Sequence, residues 1–332
     1  MERITLGLKG EEFWSEPWKT INDVQMKMIG GRKSGLIVDA PEAVDLVAHD
    51  DTPLLIFQSG SAQELASPPL ENLAVLVASR VSDRETYVNS AMKHVPSPQA
   101  KPSTTWRGRT FQLNLRERLS FPWEPGTFSV RILMRDQSSV ALPLELVQSG
   151  RYDDPEVKKF MLQFMPPPEP VSPPPGHPFP SYDADESTPA IAKGEEQGIA
   201  LAVERVIVTT PGRPALLRGS FALKVRRTEI VPPPDPKLPR SNERRPTAIL
   251  PITLVASGTR DAQPAMLKVR VPSYDEATED AVVTGAFAID LLDLGLPSRE
   301  QTYFIWAFAG DVASTPAVLA LLDPKSVPGM RY

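Results

Sequence analysis

The sequence predicts an all-β protein: two tandem antiparallel immunoglobulin-like β-sandwich domains with one short helix and a Pro-rich linker. Three observations predict it. Apolar and polar residues alternate along most apolar segments, prolines gather in tracts between them, and a set of strand patterns recurs further along the chain. Alternation marks a half-buried strand, whose side chains point in turn to core and solvent.

The alternation starts with Ile4, Leu6 and Leu8, and short buried runs follow at residues 36–38, 54–57 and 73–78. Asp50-Asp51-Thr52-Pro53 reads as a turn ahead of the second run. The clearest strands carry Phe111, Leu113 and Leu115, then Phe128, Val130 and Ile132, then Val140, Leu142, Leu144 and Leu146. Asp136-Gln137-Ser138-Ser139 reads as the hairpin turn between the last two. Pro143 places the last strand at a sheet edge, because proline has no N–H for a ladder.

One segment has helical spacing. Asp153 or Asp154 caps it, Pro155 suits its first turn, and Val157, Phe160, Met161 and Phe164 share one face before Pro166 stops it. It closes a first domain at residues 1–165. The proline tracts and acidic residues of 166–197 form a semi-rigid linker with polyproline II character. A second domain at 198–332 carries strand patterns at 199–208, 216–225, 249–255, 266–271, 282–291, 303–308 and 318–322, with a Pro-rich loop at 231–247.

A gapless shift of 176 residues puts Phe111, Leu113 and Leu115 on Phe287, Ile289 and Leu291. It also puts Phe128, Val130 and Ile132 on Phe304, Trp306 and Phe308, which suggests duplicated domains. Trp306 is expected in the core.

Composition narrows the function. The 332 residues give material for two domains, and 41% hydrophobic content is enough for real cores. A net charge of −5 argues against the positive field that nucleic acid requires, and the one basic cluster, Arg240, Arg244 and Arg245, is diluted by Ser241, Asn242 and Glu243. With no cysteine, disulfides, thiolate metal sites and a cysteine nucleophile are excluded by inventory. The 37 prolines, about twice the usual share of roughly 5%, suit a β protein rich in turns. No signal-peptide core and no membrane-length apolar run is seen, so the expected location is cytoplasmic, with signal-less export as the alternative.

Chemical motifs are sparse. His49, His94 and His177 do not pair at metal-ligand spacing. No G-x-S-x-G elbow is present, and Ser59 in Gln58-Ser59-Gly60-Ser61, the nearest resemblance, reads as a turn. Asp183, Asp185 and Glu186, and again Asp275, Glu276, Glu279 and Asp280, read as solvated acidic loops, since the glycine and distal glutamate of a calcium loop are missing. Gly30-Gly31 lacks the phosphate-loop residues. No catalytic residue, metal ligand or cofactor is therefore expected.

The tryptophans are the interaction candidates. Trp14 and Trp18 lie four apart and fit either a partner anchor or a staple for the N-terminal arm. Trp106 and Trp123 flank the Phe111 strand and fit either a sugar platform or a cap on the core. The leading expectation is a non-enzymatic interaction or structural assembly module that binds another protein or itself, with exposed proline tracts as spacers or ligands. A carbohydrate-binding accessory module is the alternative, and a hydrolase with a dispersed site the second alternative.

Overall fold

The chain is described by a computed structural model. It describes residues 31, 35–41, 43–46, 52–61, 74–89, 106–119, 122–148, 187–191, 196–208, 216–232, 245–259, 264–291, 296 and 300–322. The closing helix expected at 155–165, the three histidines, Trp14 and Trp18 lie outside these residues, as do most of the linker and of the Pro-rich loop.

The protein is all-β with several sheets. It divides into two compact units: Met1–Ser82, Thr86–Lys158 and Ser257–Pro264 in the first, and Asp83–Glu85, Lys159–Ala256 and Ala265–Tyr332 in the second.

The first unit runs β1 (Gly35–Asp39), β2 (Ala43–Asp45), β3 (Pro53–Ser61), β4 (Ala74–Arg80), β5 (Thr86–Asn89), β6 (Trp106–Asn114), helix α1 (Leu115–Arg118), β7 (Gly126–Met134), β8 (Gln137–Ser138) and β9 (Leu142–Val147). Strands β1, β3 and β6 form one sheet, and a second has the order β2-β9-β7-β4-β5 with β8 beside β7. Both sheets feed one core, in which Leu54 and Ile56 of β3 meet Leu76 of β4, Phe128 and Val130 of β7 and Leu144 of β9. Burying such side chains stabilises the unit by roughly 1.5–3 kcal/mol each.

The second unit runs β10 (Gly198–Val203), β11 (Val206–Val208), β12 (Leu216–Lys224), a 3-10 turn (Arg227–Glu229), β13 (Ala248–Gly258), β14 (Ala265–Ser273), β15 (Val282–Asp290), β16 (Gln301–Ala309), β17 (Val312–Ala313) and β18 (Ala317–Leu322). Its sheets have the orders β10-β12-β15 and β11-β18-β16-β13-β14, with β17 beside β16. Leu217, Phe221, Leu254, Phe287, Tyr303, Ile305 and Leu319 share its core. All seven segments with strand pattern at 199–322 are strand, and the first is two strands, divided at Glu204 and Arg205.

The strand order of the two units is the same, and so are the registers. Gly35↔Ser59 becomes Gly198↔Ala222 at an offset of 163 residues. Ser61↔Trp106 becomes Lys224↔Val282 at offsets of 163 and 176. The parallel pair Ala43↔Glu145 becomes Val206↔Ala320 at 163 and 175, and Gly126↔Leu146 becomes Gln301↔Leu321 at 175.

The 176-residue shift read from the sequence therefore fits β6 and β15 but is one residue too long for β7 and β16. One residue exchanges the two faces of a strand. At 175, the buried Phe128 and Val130 correspond to the buried Tyr303 and Ile305 of the same core position, whereas Phe304 points to the other face and is half-exposed. Trp306 is buried, but on the face opposite Ile305 and Ala307.

Four local readings need correction. Leu115 does not extend its strand: Asn114 caps α1 there, its side chain accepting from the Arg116 N–H at 3.1 Å and from the Thr52 N–H at 2.9 Å. Ser59 is a buried strand residue of β3 and not a turn. The β7–β8 turn is made by Arg135 and Asp136, with Gln137 already paired to Met134. Strand β9 is not an edge, because β2 pairs with its Glu145–Val147 end; the exposed Pro143 sits ahead of that stretch, where its missing N–H costs no bond to β2.

Candidate functional site

Strands β6 and β15 end the order of their three-stranded sheets, so among the described residues no strand pairs with their outer sides. Each is nine residues long. Edge strands present a row of backbone donors and acceptors, and proteins protect them by covering or charging them.

The start of β15 is covered. The Thr284 N–H donates to Asp275 Oδ2 at 2.6 Å, its hydroxyl donates to the same oxygen at 2.7 Å, and Ser273 Oγ donates to the Thr284 carbonyl at 2.7 Å. Both backbone groups of Thr284 thus point away from β12. Strand residues two apart share that direction, so Ala286 and Ala288 also turn their backbone groups outward along the continuous pairing with β12. The Asp275 carboxylate is spent on Thr284, and no group of acidic or histidine side chains suited to a metal occurs among the described residues. Asp183 and Asp185 lie outside them.

The tryptophan candidates fall differently. Trp106 is the first residue of β6, opposite Ser61. Trp123 lies between α1 and β7, half-buried against the core, with the Arg116 guanidinium 5.5 Å from its ring centroid. One ring face thus holds a cation, a favourable arrangement in its own right.

A buried ionic cluster in the second unit was not read from the sequence. Arg84 Nε lies 2.9 Å from Glu229 Oε1, with side chains only 3% and 5% exposed, and Arg84 Nη2 donates to the Lys224 carbonyl. Glu229 Oε2 accepts the Arg226 N–H at 3.0 Å across the 3-10 turn. Burial lowers the Arg84 guanidinium to about 10 against the pull of Glu229, and lowers Arg226 as well. Burial pushes the Glu229 carboxyl up, opposed by Arg84. Desolvation outweighs attraction at all three groups, as expected for charges taken out of water. The only local signal was the three-residue spacing of Arg226 and Glu229; Arg84 is distant in sequence.

No protein-family model and no curated protein matches the chain. Among solved structures, the BSP domain of a biofilm associated protein is 4% identical, with 86% of this chain and 59% of that chain covered and a TM-score of 0.15. The Fcho1 Mu homology domain of Danio rerio, with bound Eps15 peptide, is 6% identical, with 88% and 100% covered and a TM-score of 0.10. Scores of this size leave the fold to rest on its own strand pairing.

No helix among the described residues is long and apolar enough to cross a membrane.

Proposed function

We propose that the protein is a non-enzymatic interaction or assembly module made of two immunoglobulin-like β-sandwiches, copies of one domain. The immunoglobulin-like reading is supported by the strand order: the first strand of each unit divides between two sheets, and its second part runs parallel to the last strand. Duplication is supported by the shared registers.

The observation that carries the function is the outer side of β15 beyond Thr284, where small residues flank outward backbone groups and no described strand pairs with them. An extended partner segment adds there as a further strand, main-chain bonds giving affinity and alternate side chains giving selection. The partner is another protein or a second copy of this chain; the net charge of −5 disfavours nucleic acid.

Ala288→Pro tests this. Its N–H points outward, so proline removes no bond to β12 while blocking an added strand. Wild-type chain immobilised on a column should retain a protein that the variant loses, or elute as an oligomer in light scattering where the variant is a monomer, with both melting alike. Equal retention and equal mass for the two proteins would refute strand addition.

A further inference from the structure

The outer face of the β10-β12-β15 sheet carries the small residues Ala200, Ala202, Ser220, Ala222, Ala286 and Ala288, with Arg218 standing between Ala202 and Ala288, on the side opposite the core residues Ile199, Leu201, Phe221 and Phe287. Main chain is seated on this face: Ser220 Oγ donates to the Pro189 carbonyl at 2.5 Å, within the stretch at residues 187–191 that precedes β10.

The chemistry of the seat fits its occupant. At Ala200, Ser220, Ala222 and Ala286 the side chains are no larger than serine and let a backbone come close. A proline brings a carbonyl that Ser220 satisfies and no N–H that would need a partner among these small side chains. The stretch 187–191 reads Ser-Thr-Pro-Ala-Ile and has no charge.

We propose that residues 187–191 form an intramolecular strap occupying a seat for an extended, uncharged, proline-containing peptide, so that release of the strap opens this face to such a segment from a partner. The seat is the face of the sheet, whereas strand addition uses the edge of β15, and either stands without the other. A tethered strap competes at an effective concentration in the millimolar range, so the closed form dominates until a partner or a change in the strap displaces it.

The chain has no cysteine, which makes an introduced pair diagnostic. Pro189→Cys with Ser220→Cys should oxidise in air to an intramolecular disulfide, identified by peptide mapping, while Pro189→Cys with Val282→Cys, four residues further along the sheet, should not. A fluorescent peptide of residues 187–191 should then bind a chain carrying Pro189→Asp and Ile191→Asp about tenfold or more tighter than the disulfide-locked chain. The strap lies outside the core, so the aspartate variant should melt as wild type does. Equal disulfide yield from the two cysteine pairs would overturn the strap. Equal peptide binding by locked and released chains, or binding by neither, would overturn the seat.

Discussion

The Glu229 carboxylate, buried between two arginines, shows how a single residue turns burial into a measurable property. A carboxyl raised on folding favours the folded state below its ordinary value of 4.5, and that contribution is lost as pH rises through the raised value. Glu229→Gln cannot ionise, so the stability of wild type relative to this variant should fall as pH rises from 4.5 toward neutrality. Urea unfolding midpoints of the two proteins across that range check it. Wild type gaining on the variant with pH would mean that attraction to Arg84 exceeds the cost of burial. The residue scale is where the sequence was least legible: Arg84 and Glu229 are separated by most of two sheets, and nothing in either neighbourhood marks them as partners.

At the scale of elements, one corner recurs. The Ser139 N–H donates to the Ile132 carbonyl at 2.9 Å, while the Ile132 N–H donates to Ser139 Oγ at 3.0 Å. In the second unit Ser314 and Ala307 make the same two bonds, both at 2.9 Å. The hydroxyl replaces the backbone carbonyl at the point where the chain leaves its hairpin and crosses to β9 or β18. Ser139→Ala or Ser314→Ala leaves a buried N–H without an acceptor and should cost about 1–3 kcal/mol, with faster amide exchange at Ile132 or Ala307. Loss of stability without a change at that amide would contradict the role assigned to the hydroxyl. Alternation and short apolar runs exposed the longer strands, because they record burial directly, but missed the short β2, β5, β8 and β17; they could not expose this corner, where two serines differ from ordinary turn residues only by what they meet in space. Pairing partners were equally hidden, which is why Pro143 was placed at an edge that β2 in fact extends.

At the scale of the whole molecule, the two-unit pattern was visible in the sequence, but its offset was not uniform. Offsets of 163, 176 and 175 residues relate successive parts of the two units, so a single gapless shift could match β6 to β15 and still turn β7 onto the wrong face of β16. Side-chain size alone did not reveal the slip, since Phe128 meets an aromatic residue at either offset, Tyr303 or Phe304. The candidate interaction surfaces were not legible either. An edge is defined by what does not pair with it, and a face by what lies on it, and both are long-range facts.

The central claim is that each unit is built around its own core in the same register. Leu144 and Leu319, corresponding positions in β9 and β18, are fully buried in the first and second cores respectively. Leu→Ala at either should cost about 2–5 kcal/mol. Amide exchange read strand by strand is the most direct test: Leu319→Ala should speed exchange in β12, β13, β16 and β18 and leave β3, β4, β7 and β9 as in wild type, with Leu144→Ala giving the reverse. Equal loss of protection in all eight strands from either substitution would contradict two separate cores.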